Sequence, residues 1–414
     1  MGLHQGGLLP GALRASQVAL WRGAKGHRAL LLPVVAHSSN IGDRIAPPKN
    51  LTWPLRLELA LNPSWMIYGA YGYTGTLCIE EALARGERPV LAGRDPERLE
   101  AVAAEFGLES RCFSLQDSSA LDAGLRGIAA VLHCAGPFSA TSAPMVEACA
   151  RGGVHYLDVT GEIAVFEALF AHGERWRQAG IVVMPGVGFD VVPTDCLAAE
   201  LKRLVPEAVA LKLGFQVRGG RVSPGTARST VEAMGRGTAV RRAGRIEVLP
   251  QASLRRQVDF GAGPVSAVAI SWGDVSTAWH STGIDDIEVY MGLPDKLIER
   301  MAWGERLGPV LRLQLVQRFL KARIDARVKG PSAQARERSS TALWGEARDA
   351  GGLGVALRMV CPDGYSLTAE AAVDLTLRVV AGELGPGAWT PSKAFGPDLA
   401  LAYRGVRREP PQPL

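Results

Sequence analysis

No apolar run in the 414 residues reaches the ~18–20 uninterrupted residues of a membrane-spanning helix, so no such helix is expected. Cysteine is sparse and unpaired: Cys78, Cys112, Cys134, Cys149, Cys196 and Cys361 form no C-x-x-C spacing and no cluster with histidine. No metal site is therefore expected, and a chain this long needs no disulfide framework. The thiols read as small core residues in a reducing compartment. Lysine is scarce too, eight of the 46 basic residues, and no acid precedes Asp43. Residues 1–64 hold seven Lys/Arg against Asp43 and Glu58, so the net charge of +5 lies there and residues 65–414 balance at 39 basic and 39 acidic groups. A neutral body gives a phosphate backbone little to hold, and no nucleic-acid partner is expected.

The first 64 residues contain one short apolar run, 29–36. It lies too far from Met1 for a secretory signal. The acid-poor, Arg-containing character suits a transit peptide, and an upstream extension of an arginine-biased reading frame explains the same features. We take the stretch as a basic extension, disordered or non-native, ahead of a fold that begins near Trp65.

At Trp65 a short apolar run, Trp65-Met66-Ile67-Tyr68, meets Gly69-Ala70-Tyr71-Gly72-Tyr73-Thr74-Gly75. A helical stretch follows to Arg85, and Pro89-Val90-Leu91-Ala92 then ends at Gly93-Arg94. Strand, glycine turn, helix and strand within 30 residues make a βαβ unit. Gly69 permits the tight turn, Gly72 a close approach of backbone to pyrophosphate, and Gly75 close packing of helix on strand. The spacing G-x-x-G-x-x-G is weak alone and gains weight from its place between strand and helix. Arg94 stands where an NAD enzyme carries an acid for the ribose 2′-hydroxyl, and a guanidinium there suits the 2′-phosphate of NADP; the alternative is an arginine solvated at a strand end. Asp95 before Pro96 reads as a helix cap. Alternation continues with strands at 111–115, 128–134, 154–159 and 181–184 and a helix at 144–151. Asp117 is either an adenine contact or the cap of the next helix. Ala135-Gly136-Pro137 ends the fourth strand where ligands lie in open α/β sheets.

From about residue 212 the pattern changes to strand-like segments at 211–217, 245–249, 265–272 and 287–290, with a helix at 226–234. A basic amphipathic stretch covers 296–329, strand-like residues return at 334–360, and 367–381 reads as a closing helix. The fold class is α/β: a Rossmann domain (65–205), an α+β substrate or dimerisation domain (206–364), and a C-terminal helix and tail (365–414) packing back on the body.

The glycine turn, Ala92-Gly93-Arg94, Ala135-Gly136-Pro137-Phe138, the segment from His155 to Glu162, and Gly188-Phe189-Asp190-Val191-Val192-Pro193-Thr194-Asp195 occur in this order in saccharopine dehydrogenase-like oxidoreductases. The sequence resembles most the branch called trans-acting enoyl reductases, which also shares Gly225-Thr226-Ala227-Arg228-Ser229, Trp272-Gly273-Asp274 and Trp389-Thr390-Pro391-Ser392. The resemblance covers about 65–400. It implies a Rossmann domain binding NADP(H) and a second domain that covers the nicotinamide and aids dimerisation. Its fingerprint transfers onto Gly69, Gly72, Gly75 and Arg94; no amino-dicarboxylate site transfers.

Hydride transfer to a carbonyl or enone needs a proton donor near the developing charge. No tyrosine has a lysine four residues on, so the Tyr-x-x-x-Lys relay is excluded. The remaining donors sit at the ends of the fifth and sixth strands: Tyr156, Asp158, Thr160, Glu162 and Asp190. Of these Tyr156, Asp158 and Glu162 are the expected catalytic residues. Gly69, Tyr71, Gly72, Tyr73, Thr74, Gly75, Arg94, Asp117, Ala135, Gly136 and Pro137 are the expected cofactor contacts. His133 reads as a satisfied core imidazole, and His280 as either a cap on the cleft or a surface-loop residue. The function expected is NADP(H)-dependent reduction of a carbonyl, imine or enoyl group of an apolar, lipid-like small molecule, with a non-catalytic nucleotide-binding scaffold as the alternative. A cytoplasmic homodimer is expected, with peripheral membrane contact through the basic stretch.

Overall fold

In the computed structural model, residues 64–414 are described apart from residues 221, 234, 307, 312 and 329. The expectation of a basic extension over 1–64 lies, Ser64 excepted, outside them. Strand and helix alternate from Trp65 onward as β1 (Trp65–Tyr68), α1 (Tyr73–Ala84), β2 (Val90–Gly93), α2 (Pro96–Phe106), β3 (Ser110–Cys112) and α3 (Ser118–Gly124). The second half continues with β4 (Ala130–His133), α4 (Phe138–Gly152), β5 (His155–Asp158), α5 (Ile163–Ala171), α6 (Gly173–Gln178), β6 (Val182–Met184) and α7 (Val192–Leu204). Strands β1, β2 and β4 are buried at every position, the signature of parallel strands covered on both faces. Local chemistry sets the helix ends. Asp95 accepts from the amide of Arg98, Pro96 occupies the first turn, and Gly107 closes α2 at φ +63°.

Helix α4 starts six residues before the expected 144, because the side chain of Glu162 reaches across and caps the amides of Phe138 and Ser139. Pro144 then sits inside the helix at the cost of one backbone bond.

The second half of the fold runs β7 (Ala208–Arg218), α8 (Pro224–Ala233), β8 (Thr238–Arg242), β9 (Arg245–Leu249), β10 (Arg255–Asp259), β11 (Pro264–Ala269), α9 (Asp274–Thr282) and β12 (Asp286–Gly292). After it come α10 (Asp295–Arg306), α11 (Gly308–Leu311), α12 (Gln314–Arg327), α13 (Ala333–Glu337), β13 (Ser340–Asp349), β14 (Gly354–Pro362) and α14 (Gly364–Val380). The tail adds β15 (Gly387–Ala388), α15 (Pro391–Phe395), β16 (Arg407–Arg408) and β17 (Gln412–Pro413). Strands β8 and β10 escape the sequence reading because Arg241, Arg242, Arg255 and Arg256 interrupt their apolar pattern. Arg241 is nonetheless buried, donating to Val275 O, Gly244 O and Glu167. The start of the expected strand-like stretch at 334 is instead helix α13, nucleated by the Ser332 cap.

Among the described residues, one parallel sheet has the order β15-β6-β5-β4-β1-β2-β3. This is the doubly wound Rossmann order with a seventh strand lent by the tail. The second, mixed sheet runs β10-β11-β12-β7-β13-β14-β16, antiparallel except for β12 beside β7. Helix α14 packs on α1 and on β4 and β5, while α7 packs on β7, β13 and β14. One continuous core therefore joins Ile67, Leu132 and Met184 of the first sheet to Leu213, Leu343 and Leu357 of the second. No described helix is long and apolar enough to cross a membrane.

Leu375 of α14 is fully buried, whereas Leu353 in the β13–β14 turn is 70% exposed. Leu375→Ala is expected to cost about 2–5 kcal/mol in urea unfolding, and Leu353→Ala within about 0.5 kcal/mol of nothing. Equal effects would contradict the placement of α14 in the core.

Candidate functional site

The turn after β1 is built by what its glycines lack. Gly69 takes φ +88°, and a Cβ there would stand 2.9 Å from the Cβ and amide nitrogen of Ala135. A side chain at Gly75 would collide with the carbonyl of Gly69. The turn is held by Gly69 N donating to Ala92 O at 2.8 Å and Gly72 N donating to Gly69 O at 2.9 Å. Gly72 is the N-cap of α1 and brings no side chain, and the first turn contains no acid. The opening amides of Tyr73, Thr74 and Gly75 have no partner within the helix by geometry, and the helix dipole is positive there. This is an anion cradle at the carboxyl end of the sheet.

Tyr71 joins the cradle to the tip of β2. Its hydroxyl accepts from the amides of Arg94 and Asp95 at 3.3 Å each, and its ring packs over Gly93, where any side chain would clash. Arg94 is exposed at this tip. Arg98 lies beside it, its guanidinium 4.5 Å over the Tyr71 ring and 3.2 Å from Tyr71 O. Arg98 was not among the expected contacts, although its place four residues after Arg94, in the first turn of α2, is a signal that could have found it. Asp117 resolves to the cap: its carboxylate accepts from the amide of Ala120 at 3.0 Å.

The loops ending β4, β5 and β6 form the opposite wall. Ala135 touches Gly69, and Gly136 and Pro137 are exposed beside it. A Cβ on Gly136 would make ordinary contact with Phe138, nearest its ring at 3.5 Å. Glu162 binds the amides of Phe138 and Ser139 at 2.8 Å each, so it bridges two loops and occupies the N-terminus of α4. Tyr156 and Asp158 are fully buried. The Tyr156 hydroxyl donates to Asp158 at 2.7 Å, and the other Asp158 oxygen accepts from the amides of Thr160 and Gly186 at 3.0 Å. Burial raises Asp158 to about 6 despite these donors and pushes the Tyr156 hydroxyl well above its ordinary value. These geometries correct the expected roles of all three residues. They brace loops, and none presents an open acid to the crevice.

Asp190 behaves differently. It lies at the end of β6 against Gly161, where a Cβ would stand 2.7 Å from its carboxylate, and burial raises it to about 6. The preceding Gly188 abuts Thr368 of α14, whose hydroxyl accepts from the amide of Phe189 at 2.9 Å. His133 is in the core as expected but is not satisfied: neither ring nitrogen has a partner, and burial lowers it to about 3. His280 is not in a surface loop. It lies in α9, stacked on Phe170 at 4.2 Å and lowered to about 4 by burial.

Tyr73 turns toward the second half of the fold. Its hydroxyl donates to Pro331 O at 2.7 Å and accepts from Arg336 at 3.2 Å, and its ring stands edge-on to Tyr365 at 5.1 Å. Its side chain is thus committed to the fold, leaving its amide for the cradle; Thr74 is half-buried beside it. The other shared motifs converge behind the crevice. Asp195 accepts from Ser281 and from the amide of Ser392, Ser281 also meets Thr390 at 2.6 Å, and Asp274 accepts from Thr194 at 2.9 Å.

Residues 65–184 match the family model of the saccharopine dehydrogenase NADP-binding domain. The first domain is similar to that family over these residues. Trans-acting enoyl reductase of Mycobacterium leprae is 35% identical to this chain over 151 residues, 34% of this chain and 36% of the relative. A saccharopine dehydrogenase-like oxidoreductase of Arabidopsis thaliana is 32% identical over 148 residues, 31% of this chain and 32% of the relative. The chain thus spans about a third of the length of the curated relatives it matches. Across 85% of this chain and all of the other, the fold resembles that of apo saccharopine dehydrogenase (L-Glu forming) from Saccharomyces cerevisiae, with a TM-score of 0.59 at 14% identity.

In this NADP-binding domain the residues present fit the dinucleotide: Gly69 and Gly75 keep the cradle free of side chains, and Arg94 with Arg98 supplies two guanidinium groups at the β2 tip. NADPH is expected to bind far more tightly than NADH. Arg94→Ala and Arg98→Ala should each weaken NADPH binding about ten- to a hundredfold in a fluorescence titration while leaving NADH unchanged, the range of a charge-assisted hydrogen bond. Parallel losses for both cofactors would remove the 2′-phosphate assignment.

Proposed function

We propose that the protein is an NADP(H)-dependent oxidoreductase that reduces a carbonyl, imine or enoyl group of an apolar, lipid-like substrate. The observation that carries the reading is one juxtaposition at the carboxyl end of the sheet. The glycine cradle touches Ala135, Glu162 ties that loop to the end of β5, and at the end of β5 Gly161 abuts the carboxyl of Asp190. The bound cofactor supplies a hydride. The chain's own residues orient it through Gly69–Gly75 and the β2 tip, and leave Gly136 without a side chain where a nicotinamide must lie. The names of the mycobacterial relatives make an enoyl thioester the first substrate class to try. In this reading Asp190 holds the proton delivered to the carbon or oxygen opposite the hydride.

The scaffold reading keeps one observation in its favour: Tyr156, Asp158 and Glu162 are all spent on bracing loops. Turnover separates the two. With NADPH and a panel of trans-2-enoyl thioesters, long-chain ketones and cyclic imines, cofactor oxidation is expected with at least one class; tight NADPH binding without oxidation in any class would favour the scaffold.

Asp190 gives this a pH signature. A donor must be protonated, and a carboxyl raised to about 6 loses its proton as pH rises through that value. The kcat/KM should therefore fall above pH about 6. Asp190→Asn should lower kcat about 10²- to 10⁴-fold, the range of general acid catalysis, and abolish that limb without changing NADPH affinity. An unaltered pH profile in the variant would remove Asp190 from the chemistry.

A further inference from the structure

The basic stretch at 296–329 leaves a surface that the reading above does not use. It carries nine Lys/Arg against Glu299, Glu305 and Asp325, a net +6, so the rest of residues 65–414 carries −6. Helix α12 shows how the chain disposes it. Val316, Leu320 and Ile324 are half-buried, and between them Gln317 donates to Val231 O of α8 at 2.9 Å. The opposite face, Leu315, Arg318, Phe319, Ala322 and Arg323 at steps of three and four, is exposed. Leu315 is 78% and Phe319 60% exposed, with Leu313 at 55% and Trp303 of α10 at 69% nearby in sequence. Trp303 and Phe319 are the exposed members among the described Trp and Phe residues. The guanidinium of Arg323 lies 5.7 Å over the Phe319 ring.

Aliphatic, aromatic and cationic side chains share one face here instead of dividing into an apolar and a polar side. That mixture suits a boundary where apolar groups enter hydrocarbon while arginines reach headgroups from the same depth. A second copy of the chain would set like charges, Arg318 and Arg323 of each copy, against each other. We infer that the α10–α12 face docks on the surface of an anionic phospholipid bilayer. The arginines meet the surface potential, and Leu315 and Phe319 enter the acyl boundary.

The test uses the full chain and co-sedimentation with vesicles of phosphatidylcholine alone, or with about one-third phosphatidylglycerol, at low and high salt. Binding is expected to the anionic vesicles and to weaken with salt. Leu315→Ser/Phe319→Ser should lower the partition at least roughly tenfold, the consequence of losing two inserted apolar side chains. Arg318→Glu/Arg323→Glu should lower it similarly by charge reversal, and both variants should keep wild-type NADPH affinity, because neither pair lies in the cofactor site. Three results would overturn the inference. One is no binding to anionic vesicles. Another is variants that partition like the wild type, which would move the contact to the basic residues 1–64. The third is a dimer by sedimentation velocity that Leu315→Ser/Phe319→Ser dissociates, which would assign the face to a second copy.

Discussion

The whole site depends on the carbonyl of Gly69 resting against the backbone of residue 75, an approach that any side chain at 75 forbids. That contact draws the first turn of α1 onto the end of β1 and leaves its amides facing the crevice. It also fixes Gly69 against Ala135, so the loop after β4 has one place to go. From there Glu162 ties β5's loop to the N-terminus of α4, and Asp158 ties β5's loop to β6's through Gly186. Each of these two ties is a short, charge-assisted bond between backbone amides and one carboxylate, buried at Asp158 and partly exposed at Glu162. The crevice is therefore a preassembled wall, which suits a cofactor that must be held at fixed distance from a second reactant.

The second sheet is not a detached lid. Tyr73, a residue of the glycine turn, bonds Pro331 and Arg336 and stands edge-on to Tyr365. The Tyr365 hydroxyl in turn accepts from the amide of Ser223 at 2.6 Å and meets Thr226 at 2.9 Å. Behind the crevice, Asp195 and Asp274 collect hydroxyls and an amide from α7, α9 and the start of α15. Asp195 has a donor on each oxygen, whereas Asp274 keeps Oδ2 without a partner and burial raises its carboxyl well above the usual carboxylate range. The segments around Asp195, Asp274 and Thr390, which stand out in the sequence only by resemblance, thus share one physical role in joining the two sheets.

What was legible in the sequence follows from range. The glycine turn, the Asp95–Pro96 cap and the strand–helix alternation are local patterns, and each stands where its spacing placed it. Arg94 stands exposed at the tip of β2, where its spacing placed it. The residues left open or misread share a different cause. Asp117 and Glu162 are both caps, but Asp117 caps its own helix and Glu162 one that begins 24 residues earlier, which no local pattern reveals. Tyr156 and Asp158 resemble an acid pair until the fold spends them on each other. Strand β8 hid because Arg241 reads as solvated and is buried against three acceptors, two of which, Val275 O and Glu167, come from other parts of the chain.

The central claim is that the cradle, the two arginines and the loops after β4 to β6 form one NADP site. A crystal structure of the protein with NADP⁺ tests it most directly. The account predicts the pyrophosphate at the amides of residues 73–75, the 2′-phosphate between Arg94 and Arg98, and the nicotinamide over Gly136 with Asp190 on its substrate side. A nicotinamide directed away from Gly136, or a 2′-phosphate touching neither arginine, would contradict it.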